Sequence, residues 1–507
     1  MSGQAPSGLT SSTLSGFFWT FLGTGAQAVL QLLVLVVLAR LLTPVDFGLV
    51  SAAMVVVSFS QIFSQLGVGP AIVQRRELGA LHMESGFWLS LLFGAGMTAL
   101  VWLMAGPIAL FFRIEGLAPV VRAMSVVFLL QGAGVVAESL LQRDLRFRSL
   151  ALVEVAAFGL GFGVVGIGLA LSGYGVWSLA GAHVSQSGIK TAGLMLTRRH
   201  PMRLSLDRGA CRDLLWFGGG FTAARIGNYF GVHGDQIVVG RWLGAEALGI
   251  YGRAYQLMAS PAMFLGQIMD RVLFPAMARV QDRADGLRSA FRRGVSLIAL
   301  VILPGSLAMW VLAPEVVRVV LGPGWDAAVP PFRVLALGML FRTSYKMSDS
   351  LARATGAVYR RAWRQWIYAG LVMGGAALGA PWGVVGVTWC VTAAIGCNFL
   401  LMAQLSLQLA DMSWREFLGA HAPALKLSLL SVALTWGSAW ALRAMGLPAA
   451  GILAGSLVIL AAGVALCARY LPGSVLGRDG IWMLRTLGEY LPKRRARTPG
   501  SLLRGDS

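Results

Sequence analysis

VVLARLLTPVDFGLV, Val36–Val50, reads as the end of one apolar helix, a turn at Thr43–Pro44 and the start of a second helix. The phrase returns at Ile237–Ile250 as IVVGRWLGAEALGI, with Arg40 mapping onto Arg241, Leu42 onto Leu243 and Gly48 onto Gly249 at one constant offset. Further echoes follow in order. Pro70–Ala71 recurs as Pro275–Ala276, and Pro119, Arg122 and Glu138–Ser139–Leu140 recur as Pro330, Arg333 and Asp349–Ser350–Leu351. Gly175–Val176 before Trp177 recurs as Gly383–Val384 before Trp389. Two successive copies of one unit account for these matches, and a repeat of this kind fixes the architecture before any single residue does.

Working outward, the 507 residues are 56% hydrophobic and 13% charged with mean hydropathy +0.70, against about a quarter charged in soluble domains. Apolar runs of about twenty residues recur along the whole chain, each long enough to cross a hydrocarbon core of roughly 30 Å. These features predict an all-α polytopic membrane protein. Fourteen spans are expected, near 15–39, 46–67, 86–111, 118–141, 149–171, 175–197, 213–238, 246–268, 292–313, 330–352, 364–380, 382–407, 421–442 and 448–468. Those near 213–238 and 330–352 are the least hydrophobic.

The net charge of +20 is confined to short loops between apolar spans, which marks it as a topology signal and excludes nucleic acid as the partner. Arginines concentrate on alternate loops, from Arg75 and Arg76 to the tail cluster Lys493, Arg494, Arg495 and Arg497. That asymmetry predicts cytoplasmic termini and an even number of spans. Six helices return the chain to its starting side, so the copies should share one orientation about a pseudo-twofold axis along the membrane normal, with a site between them. The expected organisation is a six-helix lobe over 1–200, a second over 201–410, two additional helices over 411–470 and a basic cytoplasmic tail over 471–507. Trp482, Leu484, Leu487 and Tyr490 in that tail suit a surface-lying amphipathic segment. No secretory leader is expected, because Met1–Thr13 carries no Lys or Arg. Cys211, Cys390, Cys397 and Cys467 lack metal-ligand spacing and read as reduced, packed thiols.

Polar groups at membrane depth are costly and face a bundle interior or a watery cavity. Thr20, Thr24, Gln27 and Gln31 form one helical stripe on the first span. Its repeat partner, the seventh, carries Arg225, Asn228, Tyr229 and Gln236, with His233 and Asp235 nearby. Two such stripes facing one axis would enclose a central hydrated cavity; the plainer alternative is hydrogen bonding between neighbouring helices. On the tenth span Arg342, Lys346, Asp349 and Arg353 share a face, and cations on a cavity wall suit an anionic ligand such as a diphosphate. Glu138, Asp349 and Glu154 could hold those cations in the empty state or bind a coupling proton or Na⁺, and Asp349 could equally pair with Lys346 or Arg353 for structure alone. His183, Gln186 and Lys190 share a face of the sixth span, where His183 is a packing histidine or a proton relay. No HExxH, GxSxG, SxxK or phosphate loop is present, so neither an enzyme nor an ATP-driven pump is expected, and no cofactor or metal.

Several passages resemble the oligosaccharide flippases of the polysaccharide transporter family, within the multidrug/oligosaccharidyl-lipid/polysaccharide (MOP) exporter superfamily. They are ARLLTPVDFGLV (Ala39–Val50), LGVGPAIVQRREL (Leu66–Leu78), LLQRDLRFRSLALVE (Leu140–Glu154), GYGVWSL (Gly173–Leu179), GRWLGAEALGIYGRAYQLM (Gly240–Met258) and RVLFPAMARVQ (Arg271–Gln281). The similarity covers the first ten spans; the last four match in hydropathy alone. It implies a two-lobed bundle working by alternating access, coupled to an ion gradient. The implied activity is export of undecaprenyl-diphosphate-linked oligosaccharide units across the bacterial inner membrane, for capsule, exopolysaccharide or O-antigen. Membrane lipids and a polymerase and co-polymerase of the same pathway are the implied partners. The polar stripes, and not the resemblance, single out Arg225, Arg342, Lys346, Asn228, Tyr229, Gln27, Gln31 and Thr24 as substrate contacts and Asp349, Glu138, Glu154 and His183 as ion-coupling candidates. The alternatives are a cation-coupled drug exporter of the same superfamily, which would want an acidic cavity, and a membrane-embedded polysaccharide polymerase or ligase, which would want longer loops.

Overall fold

The computed structural model describes residues 7–482 apart from 65–66, 76–77, 280–283, 472 and 474–475; side chains at 7–22, 64, 210, 213–227, 264–276, 278–279, 284 and 358 also lie outside the described set. Among the described residues there is helix and no strand. The helices are α1 Ser7–Leu41, α2 Pro44–Ser64, α3 Val68–Gln74, α4 Ala80–Phe112, α5 Leu117–Arg143 and α6 Phe147–Phe158, which continues through a π-helical stretch, Gly159–Gly166, into α7 Ile167–Leu171. Next come α8 Val176–Thr197, α9 Arg208–Arg279, α10 Ala284–Val311, α11 Ala313–Val320, α12 Val329–Leu337 and α13 Met339–Ala354. The chain ends in α14 Val358–Gly379, α15 Gly383–Leu409, α16 Trp414–Ala444 and α17 Ala449–Tyr470.

Among the described residues every expected span is helical over most of its length. Nine stretches among the described residues are long and apolar enough to cross a membrane on composition alone, and one of them, Tyr359–Leu409, covers both α14 and α15. The four remaining spans are α8, the two halves of α9, and α12–α13. Among the described residues, α8 and the second half of α9 turn His183, Gln186 and Arg253 into the bundle, which accounts for their lower hydropathy. The least apolar span is interrupted at Gly338, where α12 gives way to α13. The protein is thus a multi-pass bundle of fourteen spanning segments: two six-helix lobes followed by α16 and α17.

The opening turn forms as its residues dictate. Pro44 takes the first helical position of α2, where its missing N–H is no loss. Asp46 Oδ2 accepts from the Thr43 amide at 2.9 Å and the Thr43 hydroxyl at 2.7 Å, while the Asp46 amide donates to Thr43 Oγ1 at 3.3 Å, a reciprocal cap. In the second copy the break falls at Gly244, whose φ of 84° and ψ of −173° bend α9 into two spans. A positive φ there favours glycine.

The two turns meet. A Cβ on Gly48 would lie 1.7 Å from the Ala245 carbonyl oxygen, and one on Gly249 would lie 1.9 Å from the Pro44 oxygen. Gly48 and Gly249 are repeat partners, and so are Pro44 and Ala245 at the same offset. Contact of i with j matched by contact of their partners is the signature of a twofold relation. The axis expected from the repeat therefore passes through a backbone-to-backbone crossing at the turn end of the bundle. Around it, Trp325 Nε1 donates to the Ala39 carbonyl at 2.8 Å and Arg40 donates to the Val319 carbonyl at 2.9 Å, closing that end. One apolar core runs through both lobes, from Val34 to Ile452.

The two added helices are tied to the second lobe. Arg443, at the end of α16, forms a two-pronged pair with Glu315 of α11, Nε to Oε1 at 2.8 Å and Nη2 to Oε2 at 2.9 Å. Glu315 is 4% exposed, so losing its partner strands a buried carboxylate. Arg443→Ala should lower the unfolding temperature of the purified protein more than Arg443→Met with Glu315→Leu does. Equal losses in a thermal melt would show that the pair is not a structural tie.

Candidate functional site

Two cavities open side by side in the middle of the bundle. The first, about 400 Å³, lies between the lobes: Gln31 and Leu35 come from α1, Phe47, Ser51 and Met54 from α2, Phe162 from the π-helical stretch, His183 and Gln186 from α8, and Gln236, Arg253 and Gln256 from α9. The second, about 380 Å³, is lined by Gln61 of α2, Gln131 and Glu138 of α5, and His183, Gln186, Ser187 and Lys190 of α8. Met54, His183 and Gln186 belong to both linings, so the cavities adjoin. The first is nearer the closed turn end and the second nearer the opposite, arginine-rich end.

Six glutamines line the pair: Gln31, Gln61, Gln131, Gln186, Gln236 and Gln256. An amide offers two donors and a carbonyl acceptor without charge, which matches sugar hydroxyls and needs no counter-ion at membrane depth. The π-helical stretch carries Phe162 into the wall, where it meets the His183 ring edge-on at 4.8 Å. Helical irregularities of this type gather at functional positions.

Charge enters the first cavity as one arginine and the second as an ion cluster. Arg253 lies nine residues beyond the Gly244 break, about 14 Å down the helix and so near the middle of the membrane. Its guanidinium sits 4.7 Å above the Phe47 ring, and its buried Nε has no acceptor among the described residues. Among the described residues no carboxylate lines its cavity. In the second cavity Lys190 Nζ stands 3.1 Å from Glu138 Oε1 and 3.5 Å from Glu154 Oε1, joining α8, α5 and α6.

The structure brings Gln31, His183 and Glu138 to these cavities, sets Glu154 against Lys190 from α6, and puts the other expected residues elsewhere. Thr24 and Gln27 are half-buried on α1 and outside both linings. Asn228 is exposed, and Tyr229 is buried with its hydroxyl donating to the Val55 carbonyl across the lobe boundary. The Arg342 guanidinium packs 4.8 Å over Tyr255 in the second lobe, within electrostatic reach of Asp235, Tyr345 and Tyr368. Asp235 accepts from the Tyr251 hydroxyl at 2.6 Å. Lys346, one turn from Arg342 on α13, lines neither cavity. Asp349 bonds Arg353 at 3.2 Å and also Arg361. The Arg225 side chain lies outside the described residues.

Arg253 and Gln256 escaped the sequence reading. A single arginine inside the apolar span 246–268 was the signal, the same one that drew attention to Arg225 and Arg342.

Among known proteins, the model of the polysaccharide biosynthesis protein family matches residues 37–330. The chain is 28% identical over 352 residues to the lipopolysaccharide biosynthesis protein WzxC of Escherichia coli (strain K12), covering 69% of this chain and 71% of that one. It is 27% identical over 440 residues to the succinoglycan biosynthesis transport protein ExoT of Rhizobium meliloti (strain 1021), covering 82% and 88%. In fold it is similar to the lipid II flippase MurJ in an inward closed conformation, with TM-score 0.72 at 13% identity over 89% of this chain and 99% of that one. An inward-facing multidrug resistance MATE family transporter of the MOP superfamily gives 0.60 at 15% identity, over 76% and 96%. With more than half of its length matched by the family model, the chain belongs to the polysaccharide biosynthesis protein family.

Proposed function

We propose that this chain is a flippase carrying lipid-linked oligosaccharide units from the cytoplasmic to the outer leaflet of a bacterial inner membrane. The observation that carries this reading is the inter-lobe cavity, furnished with amides from both repeats, holding one arginine without a carboxylate and closed at the turn end. In this account both termini and the arginine-rich end are cytoplasmic, and the turn end is the outer gate. Sugars enter among the glutamines, Arg253 takes the lipid diphosphate, and the prenyl chain stays in the bilayer between lobes 1–200 and 201–410. Arg342 and Lys346 of α13, and Arg225 as read from the sequence, add positive charge to the second lobe that draws the diphosphate inward. The lobes then rock, part at the Gly48–Gly249 crossing and expose the headgroup to the far side. An ion gradient resets the carrier, with Glu138, Glu154, His183 and Asp349 as candidate ion-binding groups.

The sequence similarity to a lipopolysaccharide biosynthesis protein and a succinoglycan biosynthesis transport protein supports a polysaccharide precursor as the substrate. A deletion strain that retains its polymerase and ligase should accumulate intact lipid-linked units on the cytoplasmic leaflet, with the wild-type chain restoring export. Polymerised but unexported chains, or units already displayed on the outer leaflet, would overturn the assignment. A drug exporter would give neither accumulation nor loss of surface polysaccharide.

A further inference from the structure

Lys190 is held by two carboxylates where one would balance it, and the excess negative charge faces a cavity. Its Nζ is 3.1 Å from Glu138 and 3.5 Å from Glu154, and the side chains of Lys190, Glu138 and Glu154 are 30%, 30% and 35% exposed. Lys190 and Glu138 line the space that a ligand would enter, and Glu154 reaches the same ammonium from α6. Lys190 lies seven residues inside the arginine-rich end of α8, about 10 Å along the helix, on the route from that end to Arg253.

We propose that Lys190 is an exchangeable cation: an entering phosphate takes the ammonium from Glu138 and Glu154, and the vacated carboxylate pair takes up one proton from cytoplasmic water. This rests on the flippase reading and deepens it by linking substrate entry to protonation at the same site.

The exchange balances. The ammonium gives up its contacts to two carboxylates and makes contacts of the same kind to phosphate oxygens, with no covalent bond changed. Two carboxylates whose oxygens lay 3.1 and 3.5 Å from one nitrogen are then left as neighbours with no cation between them. Like charges that close raise one another's affinity for a proton until one is neutral.

Little else nearby could supply the counter-charge. His183, two turns along the same face of α8, is the other titratable side chain lining this cavity, and α2 and α5 present the neutral Gln61 and Gln131. Helix α1, packed on α6, has no ionisable residue between Ser7 and Ala39. On α5, Asp144 pairs with Arg198 at 3.2 Å, and Arg143 donates to the Ile72 carbonyl at 2.9 Å, both at the end of the helix. Arg253 belongs to the neighbouring cavity.

The test is calorimetric titration of the full chain in lipid nanodiscs with farnesyl diphosphate, in two buffers of different ionisation enthalpy, from pH 6 to 8. The wild-type protein should take up close to one proton per ligand, with affinity falling as pH rises. Lys190→Gln should bind about tenfold more weakly, as for loss of one charged hydrogen bond, and without proton uptake. Glu138→Gln with Glu154→Gln should bind at least as tightly as wild type, with its pH dependence and proton uptake gone. The double variant keeps the exchange testable should Lys190→Gln fold poorly, and a purely structural role for the cluster would not abolish proton uptake while sparing affinity. Wild-type binding without proton uptake, unchanged titrations in the variants, or no binding would each overturn the exchange. Proton-linked binding in a protein whose deletion strain accumulates no lipid-linked units would support the exchange and remove the flippase reading instead.

Discussion

In cells lacking the wild-type copy, Arg253→Ala is expected to abolish surface polysaccharide while the protein remains in the membrane at normal abundance. Arg253 is a guanidinium half-way down a membrane bundle, seated on Phe47, with its buried Nε lacking an acceptor. Burying a charge without a carboxylate beside it destabilises the empty protein and leaves the full attraction available to an anionic ligand. One charged hydrogen bond contributes about 1.5–3 kcal/mol, which corresponds to roughly ten- to a hundredfold in affinity. Binding of farnesyl diphosphate should weaken by that factor in Arg253→Ala, and the unfolding temperature should stay level or rise. Arg253→Lys should fall between, because a lysine keeps the charge but gives up the flat stacking on Phe47 and the forked contact to phosphate oxygens. Normal export by Arg253→Ala, or a loss of export that merely tracks loss of protein, would remove Arg253 from the substrate path.

Arg253 also shows where the sequence stopped being legible. The repeat was readable because turn residues and buried glycines are set by local backbone demands, and the same demands recur in each copy. Periodicity could say that Gln31 and His183 lie on polar faces, and both line the cavity. It could not say which face meets which. Tyr229 belongs to a polar stripe, yet its hydroxyl goes to the carbonyl of Val55 on another helix, a partner that no spacing along α9 encodes. Arg342 likewise has the right depth and charge, but its surroundings are set by Tyr255 from the far half of α9. Arg253 stood inside the motif GRWLGAEALGIYGRAYQLM, whose conspicuous features are the turn and its glycines. Gln256 and Ser260 follow it at helical spacing, a short polar stripe that the turn wording overshadows. The Lys190 cluster gathers residues from α5, α6 and α8, and only the packing of those helices makes three separate charges one site.

Gly48→Val is expected to stop export by holding the outer gate apart, and Gly249→Val to do the same through the equivalent contact. At Gly48 the first side-chain atom would overlap the Ala245 carbonyl oxygen at 1.7 Å, and at Gly249 it would meet the Pro44 oxygen at 1.9 Å. Neither neighbour is a flexible side chain that could swing aside; each is backbone fixed at the start of a helix. Overpacking of ordinary cores costs about 1–3 kcal/mol, and a backbone collision belongs at the upper end or beyond. The lobes can escape it by separating at the turn end, so the strain falls on the closed state and the carrier shifts toward the open one. A bias of about 3 kcal/mol changes the ratio of the two states by more than a hundredfold. Ser51 lies one turn below Gly48 on the cavity wall and reports that opening. With Cys211, Cys390, Cys397 and Cys467 replaced, Ser51→Cys should resist a membrane-impermeant maleimide added outside the cell. Adding Gly48→Val should make it react. If the cysteine stays protected and export continues, the crossing is not the gate. If the variant is degraded with no labelled population, the two glycines serve folding and the hinge lies elsewhere.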